Sequence, residues 1–99
     1  MKNGSYNIYI TTNPRKTVLY TGITNNLFRR EIEHFKNRGD TKNFANKYYC
    51  YKMLYYEYFT DIKRAVRREK EIKNMNRDNK EKLIKSKNPN MEFLVLENI

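Results

Sequence analysis

Apolar and polar positions alternate over Tyr6-Asn7-Ile8-Tyr9-Ile10-Thr11 and, more briefly, over Thr17-Val18-Leu19-Tyr20-Thr21. A period of two in β-branched and aromatic residues predicts strands. Between them Asn13-Pro14-Arg15-Lys16 is turn chemistry, with proline suited to the second turn position, so the two strands read as an antiparallel hairpin. Gly22 reads as the end of the second strand. Thr24-Asn25-Asn26 then offers cap side chains for a helix over 27–38, stopped by Gly39-Asp40. The stretch 41–47 is polar and has no clear period. Residues 51–59 read as a third strand, and Thr60 or Asp61 caps a second helix over 62–75. Asp78 caps a short third helix running to about Ser86, stopped by Asn88-Pro89. The tail 91–99 is moderately apolar and is expected to pack as a last turn or strand. The order β-β-α-β-α-α predicts an α+β fold, a three-stranded antiparallel sheet flanked by helices, as one domain over 1–99.

Three polar placements break this pattern. In the second helix Ile62, Ala65, Val66 and Ile72 fall in one stripe at about 100° per residue, and Glu69 lies near its middle. Lys63, Arg64, Arg67, Lys70 and Glu71 occupy the far side. A carboxylate on the inward face is costly unless it is paired, hydrogen-bonded or metal-bound; a rim glutamate paired with a neighbouring arginine is the plainer reading. On the first helix Arg30 and His34 are four apart and share a face. They flank the Leu27 edge of an apolar arc formed with Phe28, Ile32 and Phe35, where a side chain reaches both sheet and solvent. His34 is the chain's one histidine, and an imidazole accepts protons near neutral pH; an inert surface histidine is the bland alternative. Finally, a turn centred between Pro14 and Arg15 sets Tyr9 directly opposite Tyr20, two phenols on the more polar hairpin face. A cross-strand aromatic pair that only stabilises the hairpin accounts for this equally well.

Composition narrows the function. The 99 residues carry 21 Lys+Arg against 11 Asp+Glu, a formal charge of +10, which points to a polyanionic partner. Nine Tyr and five Phe speak against full disorder, and in so short a chain each of them matters to a limited core. The single Cys50 makes no internal disulfide and suits a reducing cytoplasm. No apolar run approaches the roughly 18–20 residues of a membrane span, and no signal core follows Met1-Lys2-Asn3-Gly4-Ser5. No segment joins a strong apolar face to a basic one, so a membrane surface is not the expected partner.

Together these residues resemble the GIY-YIG nuclease superfamily. Asn7-Ile8-Tyr9 and Tyr20-Thr21-Gly22, with the tyrosines eleven positions apart, are similar to its two signatures. Asn7 replaces the first glycine and Thr21 the middle isoleucine. Leu27-Phe28-Arg29-Arg30 with His34 resembles the family's arginine-bearing helix, and Ala65-Val66-Arg67-Arg68-Glu69 its metal-binding helix. Asn88-Pro89 resembles an Asn-Pro of the small stand-alone bacterial branch, with Asn79 and Asn90 as nearby alternatives. The resemblance implies cleavage of phosphodiester bonds with one divalent cation, Mg²⁺ or Mn²⁺, held by Glu69 with waters filling most of the shell. It implies that Tyr9 orients or deprotonates the attacking water, with His34 taking its proton. Arg30 would grip the scissile phosphate, and Tyr20 would position phosphate or water. Arg29 and Asn88 would add nucleic-acid contacts, and Gly22 would allow the strand-to-helix turn to approach closely, a backbone role. DNA cut with low sequence specificity or by structure is the expected substrate. A non-catalytic nucleic-acid-binding module on the same fold is the alternative, but a binder needs none of Tyr9, Tyr20, Arg30, His34 and Glu69.

Overall fold

The alternating segment around Tyr9 becomes the middle strand of the sheet. The structure is a computed structural model that describes residues 4–96. Its elements are β1 (Tyr6–Thr12), β2 (Leu19–Thr24), α1 (Leu27–Lys36), α2 (Phe44–Lys47), β3 (Lys52–Phe59), α3 (Ile62–Lys73) and α4 (Arg77–Lys87). The strands form one antiparallel sheet in the order β2-β1-β3, so the expected α+β architecture holds. With a neighbour on each side, β1 is buried from Ile8 to Thr12.

One sheet face is the apolar core. Ile8 and Ile10 meet Leu54 and Tyr55 of β3, Ala65 and Ile72 of α3, and Ile84 of α4. Ala65 and Ile72 are seven apart, two turns along one side of α3, which lets this helix lie across the strands. Burial of each large aliphatic here contributes about 1.5–3 kcal/mol. Asp61 starts α3 by accepting from the Lys63 N–H at 2.9 Å. At the rim, Arg68 grips Glu57 of β3 through two hydrogen bonds of 2.9 Å, and the Tyr55 hydroxyl donates to the same carboxylate. Burial pushes the Glu57 carboxyl up, but the donors outweigh it and hold it below its ordinary value. No helix among the described residues is long and apolar enough to cross a membrane. Cys50 is buried, which pushes its thiol up to about 11.

The hairpin register differs from the expectation. Lys16 N–H donates to the Asn13 carbonyl at 2.9 Å, and the Asn13 side chain accepts from the N–H groups of Thr17 and Val18 at 2.8 and 3.0 Å. Those bonds take Thr17 and Val18 out of the ladder, and β2 resumes at Leu19. Arg77, at the start of α4, pins the turn by donating to the carbonyls of Lys16 and Thr17 at 2.8 and 2.7 Å. Tyr9 therefore faces Gly22, and Tyr20 faces Thr11. The slip is two residues, so both tyrosines keep their shared face, as the period of two requires. Gly22 lies inside β2 rather than at its end.

Other boundaries shift for local reasons. The polar stretch hides α2, whose N-cap is Asn43, accepting from Asn46 N–H at 3.3 Å. Asn76, not Asp78, caps α4, and Asp78 sits in the first turn, where a carboxylate complements the helix dipole. In the tail, Leu94 N–H donates to the Met53 carbonyl at 2.8 Å without forming a regular element; residues 97–99 lie outside the described residues.

Arg68→Gln is expected to lower unfolding free energy at pH 7 by about 1–3 kcal/mol, less than for a fully buried pair because both side chains meet some solvent. Since the folded Glu57 carboxyl is held low, its contribution is present above the ordinary carboxylate range and is lost as pH falls through its folded value. The difference between Arg68→Gln and wild type in urea titrations should shrink on that acid side.

Candidate active site

The second sheet face gathers Tyr9, Tyr20, Arg30 and His34. Asn26 caps α1 immediately after β2, its side chain accepting from Arg29 N–H at 2.9 Å. The four-residue spacing then aims Arg30 and His34 back at the sheet. His34 is 2% exposed and is the one buried residue of α1, whereas Ile32 and Phe35 are 39% and 45% exposed. The expected placement of His34 at a solvent-reaching edge is therefore corrected: its face is the inward one. The reason lies opposite it, where the rings of Tyr9 and Tyr20 each have their centroid 5.8 Å from the imidazole.

Tyr9 is 1% exposed, so its hydroxyl requires partners. It has two. His34 Nε2 lies 2.9 Å away, and Arg30 Nε–H donates to the phenol oxygen at 3.3 Å. On the far side of the imidazole, Nδ1 lies 3.3 Å from Asn46 Oδ1 of α2. An amide oxygen only accepts, so Nδ1 carries the hydrogen and Nε2 accepts from the Tyr9 O–H. The order is Arg30 to Tyr9 to His34 to Asn46, with every donor matched to an acceptor.

The electrostatics follow from burial. Burial, only partly offset by the hydrogen bond and charge of Arg30, raises the Tyr9 phenol to about 12, and the Glu69 carboxylate opposes its ionisation further. Burial also holds His34 below its ordinary 6.5; its bond to Asn46 favours the cation, while Arg30 disfavours it. At neutral pH both groups are uncharged and share one proton position. Arg30 is also tied to Glu33 by a 3.1 Å ion pair from Nη1.

Tyr20 is the diagonal neighbour of Tyr9, with ring centroids 6.2 Å apart. Gly22 makes the crowding possible: a Cβ there would sit 2.4 Å from the Tyr9 hydroxyl oxygen and 2.5 Å from Cζ. Its need is for space beneath a ring rather than for a strand-to-helix turn. Glu69 keeps its place in the α3 stripe between Ala65 and Ile72, with a side chain 16% exposed. Its ion-pair partner is Lys73 at 3.4 Å rather than an arginine, and that lysine is half exposed. Among the described residues no three His, Cys, Asp or Glu side chains cluster as a metal cage. A lone, partly buried carboxylate fits Mg²⁺ or Mn²⁺, which keep several waters, and does not fit a zinc-type set.

Two expected residues stand apart. Arg29 points outward, donating to Asn25 at 2.7 Å. Asn88 is 8% exposed; its amide NH₂ donates to the carbonyls of Leu54 and Glu92, and its oxygen accepts from Glu92 N–H. That amide ties the tail to β3 and has no donor left for a phosphate. Sequence reasoning missed Asn46 and α2. The available signal was Asn43, an N-cap residue type three positions before Asn46.

Residues 5–82 match the family model described as GIY-YIG catalytic domain. The chain is also 39% identical over 69 residues to a UPF0213 protein of Clostridium perfringens (strain 13 / Type A), covering 70% of this chain and 72% of that relative. No solved structure matches. With both signature tyrosines against the α1 histidine, and the family model spanning most of the sequence, the chain belongs to the GIY-YIG nuclease family.

Proposed function

We propose that the protein is a divalent-metal-dependent endonuclease that hydrolyses phosphodiester bonds in DNA, with low sequence specificity or selectivity for DNA structure. The observation that carries this reading is the matched hydrogen-bond chain from Arg30 through Tyr9 and His34 to Asn46. A structural tyrosine needs one partner for its hydroxyl. This one is held between a cation that stabilises phenolate and a base that accepts its proton.

Tyr9 orients the attacking water. As the phenol takes a proton from water, it passes its own to His34 Nε2, which Asn46 holds in the accepting tautomer. No free phenolate is needed, which suits a phenol raised to about 12. Arg30 uses Nε on Tyr9 and Nη1 on Glu33, leaving its remaining N–H groups for a phosphate oxygen, where charge grows during attack. Tyr20 positions phosphate or water by its hydroxyl. Glu69 is the residue that would hold Mg²⁺ or Mn²⁺. When bound, the cation supplies Lewis-acid stabilisation of the leaving 3′ oxygen. The charge of +10 supplies salt-dependent affinity for the polyanion without base readout.

Nicking of supercoiled plasmid tests the reading. Wild type is expected to nick with Mg²⁺ or Mn²⁺, and Glu69→Ala to lose activity by about 100-fold or more. Equal cleavage by Glu69→Ala would sink the metal assignment. Binding without nicking under either metal would leave a nucleic-acid-binding module. Arg30→Ala should lower turnover by about 100-fold while weakening binding far less; equal losses would reduce Arg30 to an anchor.

The pH profile tests the relay. His34 accepts a proton only when neutral, and its folded value is depressed, so activity should persist below pH 6.5 and fall as acid protonates it. Asn46→Asp places a carboxylate beside Nδ1 and favours imidazolium, moving the acid limb up by about 1–2 pH units. An unmoved limb would reduce Asn46 to packing.

A further inference from the structure

The helix α2 does more than deliver Asn46. Its first residue, Phe44, stacks on Tyr20 with centroids 6.2 Å apart and planes 25° from parallel, and Tyr48 packs on Phe44 at 4.8 Å. The aromatic row thus runs outward from the site. Phe44 is 54% and Tyr48 40% exposed, although neighbouring Ala45 and Cys50 are buried. The segment is held firmly, since Gly39 N–H donates to the Asn46 carbonyl at 2.7 Å and Cys50 N–H to the Ala45 carbonyl at 2.8 Å. Along the sequence, residues 36–52 are also strongly basic, with Lys36, Arg38, Lys42, Lys47 and Lys52 against Asp40 alone. Lys47 Nζ lies 5.4 Å from the Tyr48 ring centroid.

We infer that Phe44, backed by Tyr48, is a stacking platform for an unpaired nucleobase next to the scissile phosphate. This rests on the nuclease reading for where that phosphate lies. Three observations select the occupant. The patch is aromatic, so it offers flat π-faces to a base. Lys47 stands beside the Tyr48 ring, a cation within reach of a phosphate backbone. It is continuous, through Tyr20, with the Tyr9 and His34 rings. A duplex keeps its bases stacked on one another and cannot use the platform without losing that stacking. A single strand, flap or bulge can. The platform would therefore select substrates with an unpaired nucleotide beside the cut, giving the enzyme structure selectivity without base readout.

The test measures binding of a short single strand carrying a fluorescent adenine analogue, and of the same sequence as duplex, in EDTA so that no cleavage occurs. Wild type is expected to quench the analogue on the single strand. Phe44→Ala should weaken single-strand binding about tenfold or more, with the duplex changed less than about twofold. Phe44→Trp should retain single-strand binding, and Phe44→Leu, which keeps apolar volume without a π-face, should not. Equal losses on both substrates, or no loss on either, would overturn the platform; the second outcome would leave the patch to a protein partner. If thermal melting shows Phe44→Ala unfolded, the comparison of Phe44→Leu with Phe44→Trp decides. Quenching without cleavage, under Mg²⁺ or Mn²⁺, of a substrate that carries an unpaired nucleotide defeats the nuclease reading and leaves the platform standing. Nicking unaffected by Phe44→Ala on a substrate with an unpaired nucleotide does the reverse.

Discussion

A phenol buried in the middle strand of a sheet constrains everything around it. The Tyr9 hydroxyl cannot be left without hydrogen bonds, because an unsatisfied buried hydroxyl costs about 1–3 kcal/mol in proteins. His34 and Arg30 meet that demand from α1. To do so, α1 must turn its histidine face to the sheet and leave Ile32 and Phe35 partly in water. Asn46 must then approach from α2 to satisfy the other ring nitrogen. The neighbouring strand must carry glycine at position 22, since any Cβ there would collide with the ring. A single buried hydroxyl thus sets the orientation of one helix, the position of another and the residue type of a third element.

The two faces of the sheet divide the work. On one, Ile8, Ile10, Leu54, Ala65, Ile72 and Ile84 supply hydrophobic burial and keep the strands in register. On the other, packing is aromatic and polar, built on the hydrogen-bond chain from Arg30 through Tyr9 and His34 to Asn46. Stability drawn from the first face lets the second hold a neutral imidazole and a protonated phenol in a low-dielectric setting. Glu69 lies on α3, a core-packing helix, yet its charge is felt by Tyr9. It joins the two halves of this division.

Much of the fold was legible because local signals agreed. The apolar alternation of β1, the Asn26 and Asp61 caps and the Ala65–Ile72 spacing each identify an element without tertiary information. The register was not legible. A Pro-containing turn suggests a tight hairpin, but Asn13 captures Thr17 and Val18, and Arg77 of α4 fixes the result from more than sixty residues away in sequence. A residue whose role is set by such distant contacts carries no local signature. The same holds for Asn88, which looks available as a polar residue before proline but is consumed by the backbone of Leu54 and Glu92.

The sequence by itself determined the α+β class, the basic character, and the identity of Tyr9, Tyr20, Arg30, His34 and Glu69 as residues out of pattern. Periodicity, capping and charge are properties of neighbours along the chain, and they survive without coordinates. Tertiary structure decided which of those residues meet. It buried His34, moved Tyr9 from opposite Tyr20 to opposite Gly22, and brought Asn46 onto the imidazole to select its tautomer. Hydrogen-bond direction depends on pairs of atoms converging from separate elements, and only packing brings them within reach.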